Sequence, residues 1–126
     1  MKRRSAICAI ALLVAMAGVA QAHHLATGAT KRAILESLRA PGPVNTGHNC
    51  TTRALSCWRV VISGNRWATA QDVGPGNNGA GEWLYIDHLI KGRWHYSGGE
   101  GEGFLFNCRK QGMPENIARD LRIYCG

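Results

Sequence analysis

The stretch GEWLYIDHLIKGRWHYSGGEGEGFLFNC, from Gly81 to Cys108, decides the fold. It alternates aromatic and aliphatic residues with polar ones on both sides of Lys91-Gly92, the pattern of two half-buried antiparallel strands joined by a tight turn. With Lys91 and Gly92 as the two turn residues, His88 lies opposite His95 and Asp87 points to the other face. The stretch holds two of the four tryptophans, Trp83 and Trp94, and two of the three tyrosines, Tyr85 and Tyr96. Aromatic side chains bury large areas, so the core is expected to be built on this hairpin.

A second hairpin precedes it. Cys57 to Ser63 places Trp58, Val60 and Ile62 on one face and Arg59 and Val61 on the other. Gly64-Asn65 reads as a type II′ turn, and Arg66 to Val73 as the return strand. Small Ala68 and Ala70 after Trp67 leave room for another element to pack closely. Further upstream, Thr30 is a candidate cap for a helix whose apolar face is Ile34, Leu35 and Leu38. Pro41-Gly42-Pro43 ends it. At the other end, Met113-Pro114-Glu115 reads as a helix start, with Ile117, Ala118 and Leu121 on its buried side. The chain then returns as an extended tail to Cys125. The expected architecture is α+β: an N-terminal helix packed on a curled four-stranded antiparallel sheet, with a short C-terminal helix tied back by a disulfide.

Residues 1–22 have the form of a secretory signal. Lys2, Arg3 and Arg4 are followed by an uncharged apolar run from Ala6 to Val19 and by Ala20-Gln21-Ala22, a small-x-small cleavage motif. The run is shorter than the roughly 20 residues of a spanning helix, so a cleaved leader is expected in place of a membrane anchor. Cleavage leaves 126 − 22 = 104 residues, enough for one modest domain over 30–126 after a flexible lead-in at 23–29. Without the three leader cations the formal net charge falls from +7 to +4. A small basic protein of this kind suits weak adhesion to an anionic cell-envelope polymer or an extracellular protein. Nucleic-acid binding, which wants a clustered basic face, is not expected.

Export also sets the reading of the cysteines. Cys8 leaves with the leader, and Cys50, Cys57, Cys108 and Cys125 remain as an even set, the pattern of a disulfide framework. Of the three possible pairings, Cys50–Cys57 and Cys108–Cys125 each bracket one local segment and are preferred. No CxxC is present, which argues against a structural zinc site.

Trp67-Ala68, Gly92-Arg93-Trp94, Gly98-Gly99, Cys108, Pro114, Leu121 and Cys125 together resemble a broad group of small exported actinobacterial proteins of unassigned activity. These end in a similar cysteine–proline–helix–cysteine clamp. The likeness spans roughly 57–125 and implies the fold and the Cys108–Cys125 pair, with no catalytic or ligand residue. The helix-then-meander order is also similar to cystatin and NTF2-type folds, which fixes no function.

Few constellations carry chemistry. His88 and His95 are close enough across the hairpin to share a metal or a proton, but zinc wants three or four protein ligands. His23, once freed at its amine, offers a nitrogen pair for Cu(II) resembling that of copper-brace proteins; a second histidine, His48, His88 or His95, would have to converge on it. Glu82, Asp87, Glu100 and Glu102 could supply a glycosidase-type carboxylate pair, although acids in glycine-rich loops are usually solvated. No Gly-x-Ser-x-Gly elbow and no HExxH is present. Trp83, on the face opposite Leu84 and Ile86, is the aromatic side chain expected to be exposed for binding. The reading is therefore an exported binding or interaction module with no cofactor and no enzymatic activity. The alternatives are a secreted peptidase inhibitor presenting the loop 74–81 and a histidine-based copper or zinc binder.

Overall fold

The computed structural model describes residues 23–39, 51–74, 83–101 and 103–126. Its centre is a five-stranded antiparallel sheet in sequential order. The strands are β1 (His24–Leu25), β2 (Trp58–Ser63), β3 (Trp67–Asp72), β4 (Leu84–Ile90) and β5 (Arg93–Glu100). Helix α1 (Gly28–Ser37) lies on one face; the short helices α2 (Cys108–Gln111) and α3 (Glu115–Asp120) follow the sheet. The α+β architecture is as expected, with corrections to the number of strands and the placement of helices.

The β4–β5 hairpin has the register that its sequence dictates. His88 pairs with His95, and Lys91 and Gly92 both take positive φ (50° and 77°), the type I′ geometry that matches strand twist. A bulge between Ile86 and Asp87 then shifts the far half, so that Ile86 faces Gly98 and Leu84 faces Glu100. The β2–β3 turn differs from expectation. Gly64 and Asn65 both have positive φ (61° and 55°), which makes it the I′ form and not II′. Arg66 stays in the loop, because Ser63 pairs with Trp67.

The fifth strand is β1, which the sequence presents as part of a lead-in. His24 and Leu25 pair with Ile62 and Val61, and the Ala26 amide continues the ladder to the Val60 carbonyl at 2.9 Å. Two residues carry no period, so only the partner strand reveals them. This pairing also moves the helix start. Thr27, extended at φ −132°, precedes α1, its carbonyl accepts from the Lys31 amide, and Thr30 lies inside the helix. The single C-terminal helix is replaced by two. Gly112, at φ 73°, closes α2 before Pro114 and α3.

Alternation along the strands divides the interior into two cores. On one face Trp58, Val60, Ile62, Ala68 and Ala70 meet Ile34, Leu35 and Leu38 of α1. The two alanines allow the close packing that their size suggests. On the other face Trp67 and Ile86 meet Phe106, Met113, Ala118, Leu121 and Ile123. Trp58 is buried, and its indole N–H donates to the Thr51 carbonyl at 3.1 Å. Trp94 is half-buried and packs against the α1 core. Replacing Trp94 by Ala should cost about 2 kcal/mol in urea denaturation, below the range for a fully buried tryptophan; a loss under about 0.5 kcal/mol would place it on the surface.

Cys108 and Cys125 form a disulfide with Cα atoms 5.3 Å apart. Phe106 bridges Cys125 in a parallel contact, and the Gly126 amide donates to the Phe106 carbonyl at 3.0 Å. The tail is thus tied to the end of the hairpin region, as the clamp pattern implies. Cys57 is also disulfide-bonded. The expected partner Cys50, the candidate ligand His48, the acids Glu82 and Glu102, the leader at 1–22 and nearly all of the proposed inhibitory loop lie outside the described residues. Among the described residues no helix is long and apolar enough to cross a membrane.

Candidate functional site

A cleft of about 580 Å³ opens on the sheet face that carries the C-terminal helices. Its floor is Arg59 and Val61 of β2, Thr69 and Gln71 of β3, Leu84 of β4 and Glu100 of β5. Strand register accounts for this set. Arg59 pairs with Gln71, Val61 with Thr69 and Leu84 with Glu100, so each pair shares one face. Phe104 and Leu105, the end of α3, the tail and His23 complete the lining.

Glu100 and Asp120, which line the cleft, are both engaged within the fold. Both Glu100 carboxylate oxygens accept from the Tyr124 amide, at 3.0 and 3.3 Å, and the Phe106 amide donates as well. Burial nevertheless outweighs these bonds and raises the Glu100 pKa. The Asp120 carboxylate accepts from the Ser63 hydroxyl at 3.0 Å, joining α3 to β2. Expected in a solvated loop, Glu100 is buried. Its glycine neighbours let the chain turn it inward, where it anchors the tail.

The cations are disposed differently. Arg59 and Arg122 are both exposed, and among the described residues neither guanidinium has a carboxylate partner. Arg122 also has an unusual backbone. It follows α3 at φ 57°, with its amide bonded to the Arg119 carbonyl and the Ile123 amide to the Ala118 carbonyl. This is the Schellman helix ending, whose left-handed position favours glycine. Helix α2 ends in the same way, with the Gly112 and Met113 amides bonded to the Arg109 and Cys108 carbonyls, and there the left-handed residue is glycine. The ending at the cleft instead holds a long cationic side chain in a conformation that costs on the order of 1 kcal/mol. Beside it Phe104, Leu105 and Tyr124 are 65%, 64% and 75% exposed. Sequence reasoning does not single out Arg59, Arg122 or Tyr124. An arginine after a helix where glycine is favoured is the one local signal that points to them.

Among the described residues, the sequence-predicted site residues do not converge. His88 lies flat on Trp67, with ring centroids 3.7 Å apart and an interplanar angle of 6°. Burial first, then Arg66 and His95, lower its pKa. His95 is its exposed cross-strand neighbour, whereas His23 lines the cleft. Among the described residues no three His, Cys, Asp or Glu side chains are grouped to hold a metal. Asp87 and Glu100 occupy opposite sheet faces, so these two cannot act as a carboxylate pair across one substrate. Trp83, expected to be exposed, is half-buried. It packs over Gly99, where a Cβ would fall 2.2 Å from the indole nitrogen, and its ring meets Phe104 edge-on at 5.8 Å. It therefore supports the cleft wall from behind.

Asp87 is the other unusual acid. It is 1% exposed under α1 and accepts from the Ser37 hydroxyl, and its Oδ1 has no partner among the described residues. Burial raises its pKa to about 7 against the opposing pull of that hydroxyl. Tyr85, also raised by burial, shares this face with Tyr96.

Comparison with protein-family models, with curated proteins and with solved structures finds no match for this chain.

Proposed function

We propose that the protein is an exported, disulfide-stabilised binding module that holds its ligand in the cleft between the sheet and the C-terminal clamp and does not transform it. The observation that carries this reading is the division of labour in the cleft. Its acids hold the fold together, while two arginines and three large apolar side chains face solvent. Such a surface has contacts to offer a ligand but, among the described residues, no free acid–base pair to act on one. The ligand belongs to an extracellular protein or a cell-envelope polymer. Export is supported by the basic-then-apolar start of the chain and by the disulfides, which persist in oxidising compartments.

The contact between Trp83 and Phe104 provides a built-in reporter. Titration with solubilised bacterial envelope fragments, or with protein from the same culture medium, should give a saturable change in tryptophan emission. The ligand should be recovered chemically intact. Leu105→Asp, at an exposed position, should leave the melting temperature unchanged and weaken binding at least about tenfold, as expected when an apolar anchor is replaced by a charge. Unchanged affinity in that variant would rule out the cleft as the site, and a cleaved ligand would rule out a pure binding role.

A further inference from the structure

We infer that the cleft recognises the free C-terminal carboxylate of a peptide with an apolar last residue, with Arg59 and Arg122 gripping the carboxylate. This deepens the binding-module reading and rests on it. The two guanidiniums come from separate elements, a strand and a helix ending, yet both line one cleft and lack carboxylate partners among the described residues. Guanidinium groups fit carboxylates through paired N–H donors. The same lining offers Val61 and Leu84 to an apolar side chain and Thr69 to a peptide group. The volume, about 580 Å³, lies within the roughly 300–1,000 Å³ of small-ligand sites and suits a chain end better than a folded surface.

The strongest support is the conformation of Arg122. A left-handed residue at a helix ending is stabilised by changing it to glycine, as the chain itself has at Gly112. Retaining arginine there is explained if the guanidinium is needed in the cleft. The Schellman bonds also fix its backbone, so the side chain starts from a rigid base beside the ligand space. Both a protein tail and an envelope peptide stem present this chemistry, and they differ in the handedness of the last residue.

The test is a titration of the oxidised protein followed by amide nuclear magnetic resonance. The probes are the tetrapeptide Ala-Gly-Ala-Leu, its C-terminal amide, and the same peptide ending in D-alanine. The free acid should shift the amides of Thr69, Leu84 and Tyr124 and bind at least about tenfold more tightly than the amide form. Arg122→Gly should melt no lower than the parent protein and lose that preference, and Arg59→Gln should weaken acid binding at least about threefold. Tighter binding of the peptide ending in L-leucine assigns the ligand to protein tails, and of the D-alanine peptide to envelope stems. Equal affinity for acid and amide, with the same cleft amides shifted, would overturn carboxylate recognition and leave the binding module standing. A preference that survives Arg122→Gly would also overturn it. If neither these peptides nor envelope fragments nor protein from the culture medium shift any cleft amide, both readings fall.

Discussion

The folded protein should lose stability as the pH rises from about 4 to about 8, and Asp87→Asn should remove most of that loss. Asp87 is buried beneath α1, and its pKa stands at about 7 against an ordinary value of 3.8. Between these values the folded state binds a proton that the unfolded chain has released. By linkage, stability then falls with rising pH. The contribution is fully present below the unfolded value and gone once the pH has passed the folded one. The gap between the two values, at about 1.4 kcal/mol for each pH unit, amounts to about 4 kcal/mol. Two groups complicate the raw curve. The raised pKa of Glu100 adds to the loss, and the lowered pKa of His88 opposes it by favouring the neutral imidazole in the fold. The informative quantity is therefore the difference between parent and variant.

Asparagine at position 87 keeps an oxygen for the Ser37 hydroxyl and carries no charge to desolvate. Its amide group would still need a partner, so the variant should gain less than the full amount, about 2–3 kcal/mol at pH 8. Urea denaturation at several pH values measures both curves. Parallel curves would show that Asp87 titrates as a solvated acid, and the coupling to α1 would fall with it. Ionisation also has a structural direction. Oδ1 has no donor among the described residues, so a charged Asp87 is eased by loosening α1 from the sheet, and the loss should appear there first.

Legibility of the fold follows the range of the interactions. The β4–β5 hairpin is readable because its turn and its alternation are local, and both the His88–His95 pairing and the placing of Asp87 on the face opposite His88 follow from Lys91-Gly92. Ala68 and Ala70 announce a close neighbour because residue size is written in the sequence, and α1 supplies it. The features that sequence does not reveal depend on distant partners. Strand β1 exists because Ile62 and Val61 present an edge to it. Glu100 is buried because the amide of Tyr124, 24 residues later, comes back to it. Trp83 is half-buried because Gly99 leaves room for its ring. The cleft belongs to this second kind. Arg59 looks like the outer side of a strand and Arg122 like the start of an extended tail; the return of that tail puts them around one space.

That return depends on the Cys108–Cys125 bond, and its removal is the second large effect expected. The bond closes a loop with a sequence separation of 17. In the chain-entropy model such a closure stabilises the fold by about 3 kcal/mol, and Cys108→Ser with Cys125→Ser should lower the free energy of unfolding by that amount. The loss should not be uniform. Cys108 is buried at the start of α2 and stays packed with Met113 and Phe106, while Cys125 and its neighbours Tyr124 and Gly126 are exposed. The tail should therefore fray from its end, and the Tyr124 and Gly126 amides should gain hydrogen-exchange rate ahead of the sheet. As Tyr124 leaves, Glu100 loses one of its amide donors while remaining desolvated, which raises its pKa further. Arg122, held by bonds within α3, should keep its backbone geometry longer than Tyr124 keeps its own. A loss below about 1 kcal/mol, or exchange that speeds up equally across sheet and tail, would show that the tail is held by packing of Leu121 and Ile123 and that the disulfide adds little.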